Sequence, residues 1–500
     1  MDAYVVARCG PHLREKVAMR FIKYYCTVLL CIFFQLTTVT VCQNENINLI
    51  PLTRKYGQAR FTLPFFGSFR SLLRVLRPNT HIGRKSDYRS DFDENYINYH
   101  GAQLWKVLFH PTTKRSNGTD LGRLQKFIEK YGTEVWNINQ DGIDILIDYK
   151  HTAAAKDFIS KTEFTYNIMI DDLETAIDDT YMEVNNSNSN MPWLERESTI
   201  MNWNRYHDIG DIQQFMQHIL ETYSDLAEIV QIGLTNHKRP LEVLKISNGD
   251  PNNWAVFIDA GMQARDWLSP AAVTYAISKL TWLWGNYTER NAMRNIDWYF
   301  LPITNPDGYQ YSRITDRLWT KNRHFDRQTG CYGVNLDRNF EYQWAGAGSS
   351  ESPCKNLYRG PTKFSEPETK AIRQFMLKMR DYLGAYISFG AYGQAIAYPW
   401  GDADYVTNNQ RSLHKVARKA VLNFRKLNQA EYRIGSGYRL KLSHAGNSAD
   451  WVQHRLNPKF VYNVYLKDQG RYGYLMPPHY IVESGEEVYE FMKTIAAALS

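Results

Sequence analysis

The sequence predicts an α/β protein in which a mixed, mostly parallel, twisted sheet has helices on both faces and follows a small α+β domain. Three observations favour this class. At 500 residues the chain is too long for one ordinary core. In 199–500, continuous apolar segments alternate with amphipathic ones, which is typical of a sheet covered on both faces. Residues 99–181 show the shorter order βαββαβ, the ferredoxin-like split βαβ sandwich.

The small domain at 99–181 is predicted from six segments, each of which has apolar residues at the spacing of either a strand or a helix. In chain order they are the strand QLWKVLFH, the helix LGRLQKFIEKYG, the strands TEVWNIN and IDILIDY, the helix AAKDFISKTE and the strand YNIMIDD. The flanking segments differ in character. Residues 182–198 are rich in Asn and Ser and break all periodicity, so they are predicted to form a linker.

In the large domain, 199–500, DIQQFMQHILETYSDL has the spacing of an amphipathic helix. The buried strands are WAVFIDAGM, DWYFLPITN, LGAYISFGAYG and KFVYNVYLKD. SPAAVTYAISKLTWLWG is a long helix whose Ser269 and Pro270 suit the cap and first-turn positions, and GEEVYEFMKTIAAAL is the closing helix. The functional crevice of such a sheet lies at the carboxyl ends of its strands.

Residues 1–43 have the features of a signal peptide, because a basic stretch precedes an uncharged apolar run and small residues. This predicts a secreted, extracellular protein. The run is also close to the ~20 residues that span a bilayer. An uncleaved signal anchor with an extracellular domain is therefore the alternative, and only then is a membrane expected as a partner.

The extracellular compartment allows two kinds of covalent modification. Cys331 and Cys354 can form a disulfide there. Asn117, Asn185 and Asn286 each begin a glycosylation sequon.

Residues 44–98 carry no clear periodicity. Between 51 and 90 there are nine Lys or Arg residues against the single acid Asp87, which indicates a solvated, flexible basic arm. A contact with a glycan or membrane surface is the alternative.

The composition excludes several functional classes. With 44% hydrophobic and 22% charged residues the chain is ordinarily globular, which excludes a disordered or collagen-like protein. The net charge of +7 is a mild excess, so no nucleic-acid partner is expected. There is no CxxC pair, Walker-type loop or GxSxG elbow. His218 and Glu221 have metal-ligand spacing, but without a third ligand we expect a solvated helix face.

A series of motifs runs in order through 200–500: RPLEVLKIS, DAGMQARDWLSP, ITNPDGYQYS, DRLWTKNR, CYGVNLDRNF, YRGPTKFSEPET, AYPWG, SADW and KDQGRYGYLMPP. This series resembles the zinc metallocarboxypeptidases of the pancreatic carboxypeptidase A/B family. The resemblance implies a carboxypeptidase-like fold, one bound zinc ion and a disulfide between Cys331 and Cys354. It also implies that 99–181 is an inhibitory pro-domain with an activation cut near Arg196.

The resemblance places the zinc ligands at positions that have changed. The family uses the His and Glu of an HxRE segment and a later His; the aligned positions are Gln263, Asp266 and Gly390. A neutral amide is a poor zinc donor, glycine offers none, and one short carboxylate does not hold zinc against water. No metal and no other cofactor are therefore expected.

The catalytic positions differ too. Tyr465 stands at the position of the general-base Glu, and a phenol with an ordinary pKa near ~10 does not deprotonate water at neutral pH. Thr320 stands at the position of the Arg that stabilises the oxyanion, and loss of such a donor costs on the order of 10²–10³ in rate. No catalytic residue is expected.

The substrate-binding positions are partly kept. Arg338, which would grip a terminal carboxylate, and Arg265 match the family. Asp337 replaces the Asn that precedes this arginine, Leu442 replaces the mobile Tyr, and Ala449 occupies the specificity position.

These observations leave three hypotheses. The first is an inactive pseudoenzyme that binds a peptide or protein through the former active-site cleft. The second is a carboxypeptidase that removes C-terminal residues, either through an atypical zinc site built from Asp266 and His444 or by slow metal-free chemistry. The third is a surface-interaction protein that acts through the basic arm. We further predict that the Tyr465 ring fills part of the former zinc volume, its hydroxyl bonded to Gln263, Asp266 or a water.

Overall fold

The structure is a computed structural model, and it describes residues 95–108, 119–138, 142–162, 164–183, 201–286, 291–442 and 444–500. The signal segment, the basic arm up to residue 94 and the linker from residue 184 onward with Arg196 lie outside the described residues. The sequons at Asn117 and Asn185 lie outside them as well. Asn286 is exposed at the end of the short turn Trp284–Asn286, and its glycosylation stays a prediction.

The small domain has the predicted order βαββαβ followed by a helix. Its elements are β1 (Gln103–Leu108), α1 (Thr119–Tyr131), β2 (Gly132–Ile138), β3 (Gly142–Ile147), α2 (Thr152–Ser160), β4 (Thr165–Ile170) and α3 (Leu173–Tyr181). The strands pair antiparallel in the order β2-β3-β1-β4. The sequence did not predict α3, a short helix that begins after Asp172, whose carboxylate accepts the N–H groups of Glu174 and Thr175.

The large domain is built on an eight-stranded sheet among the described residues, in the order β11-β10-β12-β9-β7-β8-β6-β5. Its strands are β5 (Ala227–Leu234), β6 (Pro240–Ile246), β7 (Trp254–Ala260), β8 (Ile296–Leu301), β9 (Leu383–Gly390), β10 (Ala395–Tyr398), β11 (Arg433–Ser436) and β12 (Phe460–Tyr465). The central strands β8, β7, β9 and β12 are parallel, whereas antiparallel pairs lie toward the edges. The predicted mixed, mostly parallel sheet is confirmed.

Helices cover both faces of this sheet. They are α4 (Ile209–Thr222), α5 (Leu268–Leu283), α6 (Pro306–Ile314), α7 (Pro367–Lys378), α8 (Gln410–Asn428), α9 (Ser448–Arg455) and α10 (Ile481–Leu499). On α4, Glu221 is exposed and His218 is partly exposed. Among the described residues, no helix combines the length and the apolar character that crossing a bilayer requires.

The period of β1 explains how the two domains pack. Trp105 and Val107 point to a core shared with α1 and α2, whereas the alternate residue Leu104 belongs to the large apolar cluster that includes the main sheet. Lys106 lies on the same face as Leu104 and pairs in register with Asp144 of β3. The small domain therefore presents apolar and charged side chains together to the large domain.

Candidate functional site

The candidate site lies where three parallel strands end. The loop after β7 carries Gln263 and Asp266, β9 ends at Gly390, and β12 ends at Tyr465, which pairs in register with Gly390. The strand order β7-β9-β12 brings these positions together around a cavity of about 40 Å³. The lining residues are Met262, Gln263, Asp266, Asp337, Ser388, Phe389, Gly390, Ala391, Asn463 and Tyr465.

Asp266 has a structural role in this site. Its Oδ1 accepts the Ser269 N–H at 3.1 Å, and its Oδ2 accepts the Ser269 hydroxyl at 2.6 Å and the Ala391 N–H at 2.8 Å. Burial raises the pKa of Asp266 to about 6. The carboxylate thus ties the start of α5 to the end of β9.

These contacts correct the prediction that Ser269 caps the long helix. The helix begins at Leu268, with Trp267 at the cap position and no side-chain cap bond. Ser269 lies inside the first turn, and its N–H donates to the Asp266 carboxylate. Asp266 is therefore the side chain that accepts a free N–H group at the start of the helix.

Gln263 and Gly390 offer nothing equivalent to an imidazole. The Oε1 of Gln263 accepts the Tyr474 hydroxyl at 3.0 Å. At Gly390 a Cβ atom would meet only Asp266 Oδ2, at 3.8 Å, so the backbone there leaves room for a side chain. The position is open, but it carries no donor.

The residues present do not fit a zinc ion. The single carboxylate already accepts three hydrogen bonds, the amide oxygen accepts one, and the third position has no side chain. Within the part of the chain that the structure describes, no group of three or more His, Cys, Asp or Glu residues is placed to hold a metal. This donor set differs from the three protein ligands that a catalytic zinc site requires.

The predicted hydrogen bond from the Tyr465 hydroxyl to Gln263 or Asp266 was wrong. The ring borders the cavity, but the hydroxyl donates to the backbone carbonyl of Leu442 at 3.2 Å, not to Gln263 or Asp266. Tyr465 and Leu442 pack together against the apolar cluster of Ala395, Ala397 and Leu440, and this packing turns the phenol away from the ligand positions. Burial raises the pKa of Tyr465, so the phenol stays protonated at neutral pH.

His444 is engaged by Asp337. Its Nε2 lies 2.5 Å from Asp337 Oδ2, and the N–H of Ser448 donates to the other oxygen at 3.2 Å. Burial and the nearby Arg338 lower the pKa of His444. Against the effect of burial, His444 and Arg338 hold the pKa of Asp337 below its ordinary value. The His444 imidazole is therefore neutral, and it donates a hydrogen bond to the ionised Asp337 carboxylate.

Arg338 lies beside this pair, with Nη1 3.7 Å from Asp337 Oδ2 and Nε donating to the Gly348 carbonyl. Ala449 is buried in the first turn of α9, next to Ser448. The structure thus brings Asp337, Arg338 and His444 into one cluster, and Asp337 reaches the cavity that Asp266 also lines.

Arg265 lies at the side of the cleft that faces the small domain. Nη1 of Arg265 is 2.8 Å from Glu134 Oε1 of β2, and its guanidinium lies over the Tyr474 ring at 3.9 Å. Thr320 is buried, and its carbonyl accepts the Ala264 N–H at 3.0 Å. Arg265 is therefore held by the small domain of the same chain.

A second set of contacts joins the small domain to the cleft. Asp144 Oδ2 accepts the Tyr392 hydroxyl at 2.8 Å, and Lys106 Nζ donates to the Gln469 carbonyl at 2.8 Å while lying 3.5 Å from Asp144 Oδ1. Trp136 packs edge-on against Tyr474 at 5.3 Å. The small domain covers this end of the cleft with charged and aromatic side chains.

Sequence reasoning missed several residues that shape the site. Asp259 is buried at the carboxyl end of β7 and accepts the hydroxyls of Tyr386 and Ser388. Glu134 and Asp144 provide the acidic contacts of the small domain. The available signal was an acid inside an apolar strand, as in WAVFIDA and GIDILI.

The fold and the cleft define a class of protein. The zinc carboxypeptidase family matches residues 212–491, and the carboxypeptidase activation peptide matches residues 114–180. The chain belongs to the zinc carboxypeptidase family and carries an activation-peptide domain. The predicted disulfide is also present, with Cys331 and Cys354 5.2 Å apart at Cα.

Particular relatives are carboxypeptidases of types A and B. Carboxypeptidase B of Astacus astacus is 33% identical over 297 residues, 59% of this chain and 97% of that protein. Carboxypeptidase A2 of Mus musculus is 30% identical over 361 residues, 72% of this chain and 84% of that protein. The crystal structure of thrombin activatable fibrinolysis inhibitor is 27% identical, with a TM-score of 0.70 over 80% of this chain and 98% of that one.

Proposed function

We propose that this protein is a secreted, catalytically inactive carboxypeptidase-like protein that binds a peptide or protein partner through the former active-site cleft. One observation carries the proposal: both side chains at the zinc-ligand positions, Gln263 and Asp266, already accept hydrogen bonds from within the fold. Asp266 joins α5 to β9, and Gln263 accepts from Tyr474. A site organised in this way supports packing and binding more readily than metal-dependent hydrolysis.

The general-base position supports the same proposal. Tyr465 is held by the Leu442 carbonyl, and burial raises its pKa. A phenol that is protonated and engaged as a donor does not accept a proton from water. Thr320, at the former arginine position, supplies no positive charge for an oxyanion.

The chemistry of the cleft indicates where a partner would bind. Arg338 forms a charged cluster with Asp337 and His444 close to Ala449, the residue at the specificity position. Asp337 partly neutralises Arg338, which favours a ligand that brings both a carboxylate and a hydrogen-bond donor, as a peptide C-terminus does. Arg265 is held by Glu134, so a longer partner would compete with the small domain for that end.

Metal content and hydrolysis test the inactive state. We expect the dialysed wild-type protein to retain no stoichiometric zinc and to release no C-terminal residues from test peptides. The matched variant Gln263→His/Asp266→Glu/Gly390→His restores the family's donors, and the open backbone at Gly390 leaves room for the imidazole. We expect this variant to bind about one zinc per chain, and Gly390→Ala, which adds no donor, to bind none. Stoichiometric zinc together with peptide hydrolysis by the wild type would overturn the proposal.

Peptide binding tests the cleft itself. The probe is an octapeptide library with free C-termini, compared with the same library amidated. We expect the free termini to bind better, and Arg338→Ala to abolish that preference. Arg380→Ala is the control, because Arg380 precedes β9 at the opposite, amino-terminal edge of the sheet. Equal binding of both libraries by the wild type would contradict a cleft that recognises a terminal carboxylate.

A further inference from the structure

Helix α8 presents a basic face that the cleft does not use. Across Gln410–Asn428 it carries Lys and Arg residues and no Asp or Glu. All six cations are exposed: Arg411, Lys415, Arg418, Lys419, Arg425 and Lys426. At about 100° per residue they fall within an arc of about 120°, with the half-exposed Leu422 near its centre. The six cations therefore form one row along the helix, here called the α8 basic row.

The opposite face of α8 fixes the helix in the fold. Leu413, Val416, Ala417, Ala420 and Phe424 are buried against the large core. The helix cannot roll over to insert this face into a bilayer, because that would expose the core. The basic row is thus a rigid, predominantly cationic surface about 22 Å long from Arg411 to Lys426, at about 1.5 Å per residue.

The row is poorly neutralised by its surroundings. Arg425 lies 3.4 Å from Glu431, and this is the only ion pair of the row among the described residues. No acid of a neighbouring element pairs with the other five cations in that same part of the chain. Like charges at i, i+3 and i, i+4 repel one another and destabilise the helix. An anionic ligand bound along the row would remove this repulsion.

We propose that the α8 basic row is a binding surface for a linear sulfated polysaccharide. A straight row of cations on a rigid helix complements a polymer with regularly repeated anionic groups. The face has no aromatic side chain on which a nucleic-acid base could stack, and its apolar side is unavailable to a membrane. The predicted signal segment would deliver the chain to the compartment where sulfated polysaccharides occur. This function is separate from the cleft.

The test uses the full chain and a heparin-derived oligosaccharide, with affinity measured by titration calorimetry at increasing NaCl concentrations. One variant is Lys415→Glu/Arg418→Glu/Lys419→Glu. The matched control is Lys126→Glu/Lys130→Glu/Lys156→Glu, which reverses three exposed charges of the small domain and changes the net charge equally. Phosphatidylserine vesicles, duplex DNA and unsulfated dextran are the comparison ligands. Circular dichroism checks that both variants fold.

We expect the α8 variant to weaken heparin binding at least about ten-fold and to reduce the slope of log K against log salt by about three, as expected when three ionic contacts are lost. The control should keep both the affinity and the slope of the wild type. Equal losses in the two variants, or no loss in either, would overturn the proposal. Stronger α8-dependent binding to vesicles or DNA than to heparin would overturn the choice of ligand.

Discussion

The interface with the small domain and the centre of the cleft, at the family's zinc-ligand positions, are two parts of one cleft, and their polar groups are used differently. At the interface, charges meet across domains: Glu134 pairs with Arg265, and Asp144 accepts from Tyr392. At the centre, the polar groups bond to neighbouring backbone or side chains, and a small cavity remains. Electrostatic interactions are therefore stronger at the interface with the small domain than at the centre of the cleft.

This difference has a consequence for stability. Breaking a buried ion pair leaves an uncompensated charge, whereas losing a hydrogen bond beside a cavity leaves a group that water can reach. Changes at the interface should therefore loosen the small domain as a unit. Changes at the centre should act locally and leave the domains docked.

Arg265→Ala should have the largest effect. It leaves the largely buried Glu134 without its ion-pair partner and removes the guanidinium that lies over the Tyr474 ring. We expect a loss of about 3–5 kcal/mol in the free energy of docking. Hydrogen exchange in β2 and β3 measures it, since both strands should lose protection while β7 and β9 keep theirs.

The double variant Arg265→Met/Glu134→Leu is the control for this prediction. Replacing a buried pair by apolar residues of similar volume is often nearly neutral, so the protection of β2 and β3 should largely return. If Arg265→Ala leaves these strands as protected as in the wild type, the ion pair does not hold the domain.

Tyr465→Glu should have the next largest effect. It replaces a packed ring with a smaller carboxylate close to Asp337, whose charge already acts on the Tyr465 phenol. We expect about 2–3 kcal/mol of destabilisation from the cavity and the buried charge, with no gain of peptidase activity. Urea unfolding and a C-terminal release assay measure the two parts.

Tyr465→Phe separates the ring from the hydroxyl. It removes only the bond to the Leu442 carbonyl, so about 0.5–1.5 kcal/mol should be lost. A loss as large as that of Tyr465→Glu would show that the hydroxyl, and not the packing of the ring, is the main contribution.

Much of the fold was predictable because periodicity reports burial. The segments of βαββαβ in the small domain and the four strands predicted for the large sheet appear where their patterns indicate, whereas β5, β6, β10 and β11 were not predicted. Helix α3 was missed because Leu173 and Ile177 are its only strongly apolar buried positions, too few for a period. The start of α5 was misplaced because Asp266, which precedes the helix, supplies the acceptor that Ser269 was expected to supply.

The site was predictable by position but not by contact. Aligned motifs correctly brought Gln263, Asp266, Gly390 and Tyr465 to one cavity. The direction of the Tyr465 hydroxyl depends on the loop that presents the Leu442 carbonyl. The partners of Arg265 and Tyr392 lie more than one hundred residues away in the small domain. No local pattern encodes such a pairing.

Asp259, behind the centre, gives an effect on stability that depends on pH. Its two oxygens accept the hydroxyls of Tyr386 and Ser388, and burial, opposed by these hydrogen bonds, raises its pKa to about 7. The unfolded chain has the ordinary value near ~3.9. Between these two values the folded state keeps a proton that the unfolded state has released. The contribution of Asp259 to stability is therefore complete below about pH 4 and is lost as the pH rises toward 7.

Asp259→Asn removes this titration, so the stability difference between wild type and variant should shift against the wild type by up to about 1.4 kcal/mol per pH unit between pH 5 and 7. Urea unfolding at pH 5, 6 and 7 measures it. Glu341→Gln is the control: its hydrogen bond to Lys363 holds the pKa of Glu341 below its ordinary value, with no histidine involved. Its contribution is lost only as the pH falls below about 4, so its difference from wild type should stay flat over this range. A flat difference for Asp259→Asn as well would mean that this carboxylate is ionised in the folded protein at pH 5, and that the wall behind the centre is more polar than its burial implies.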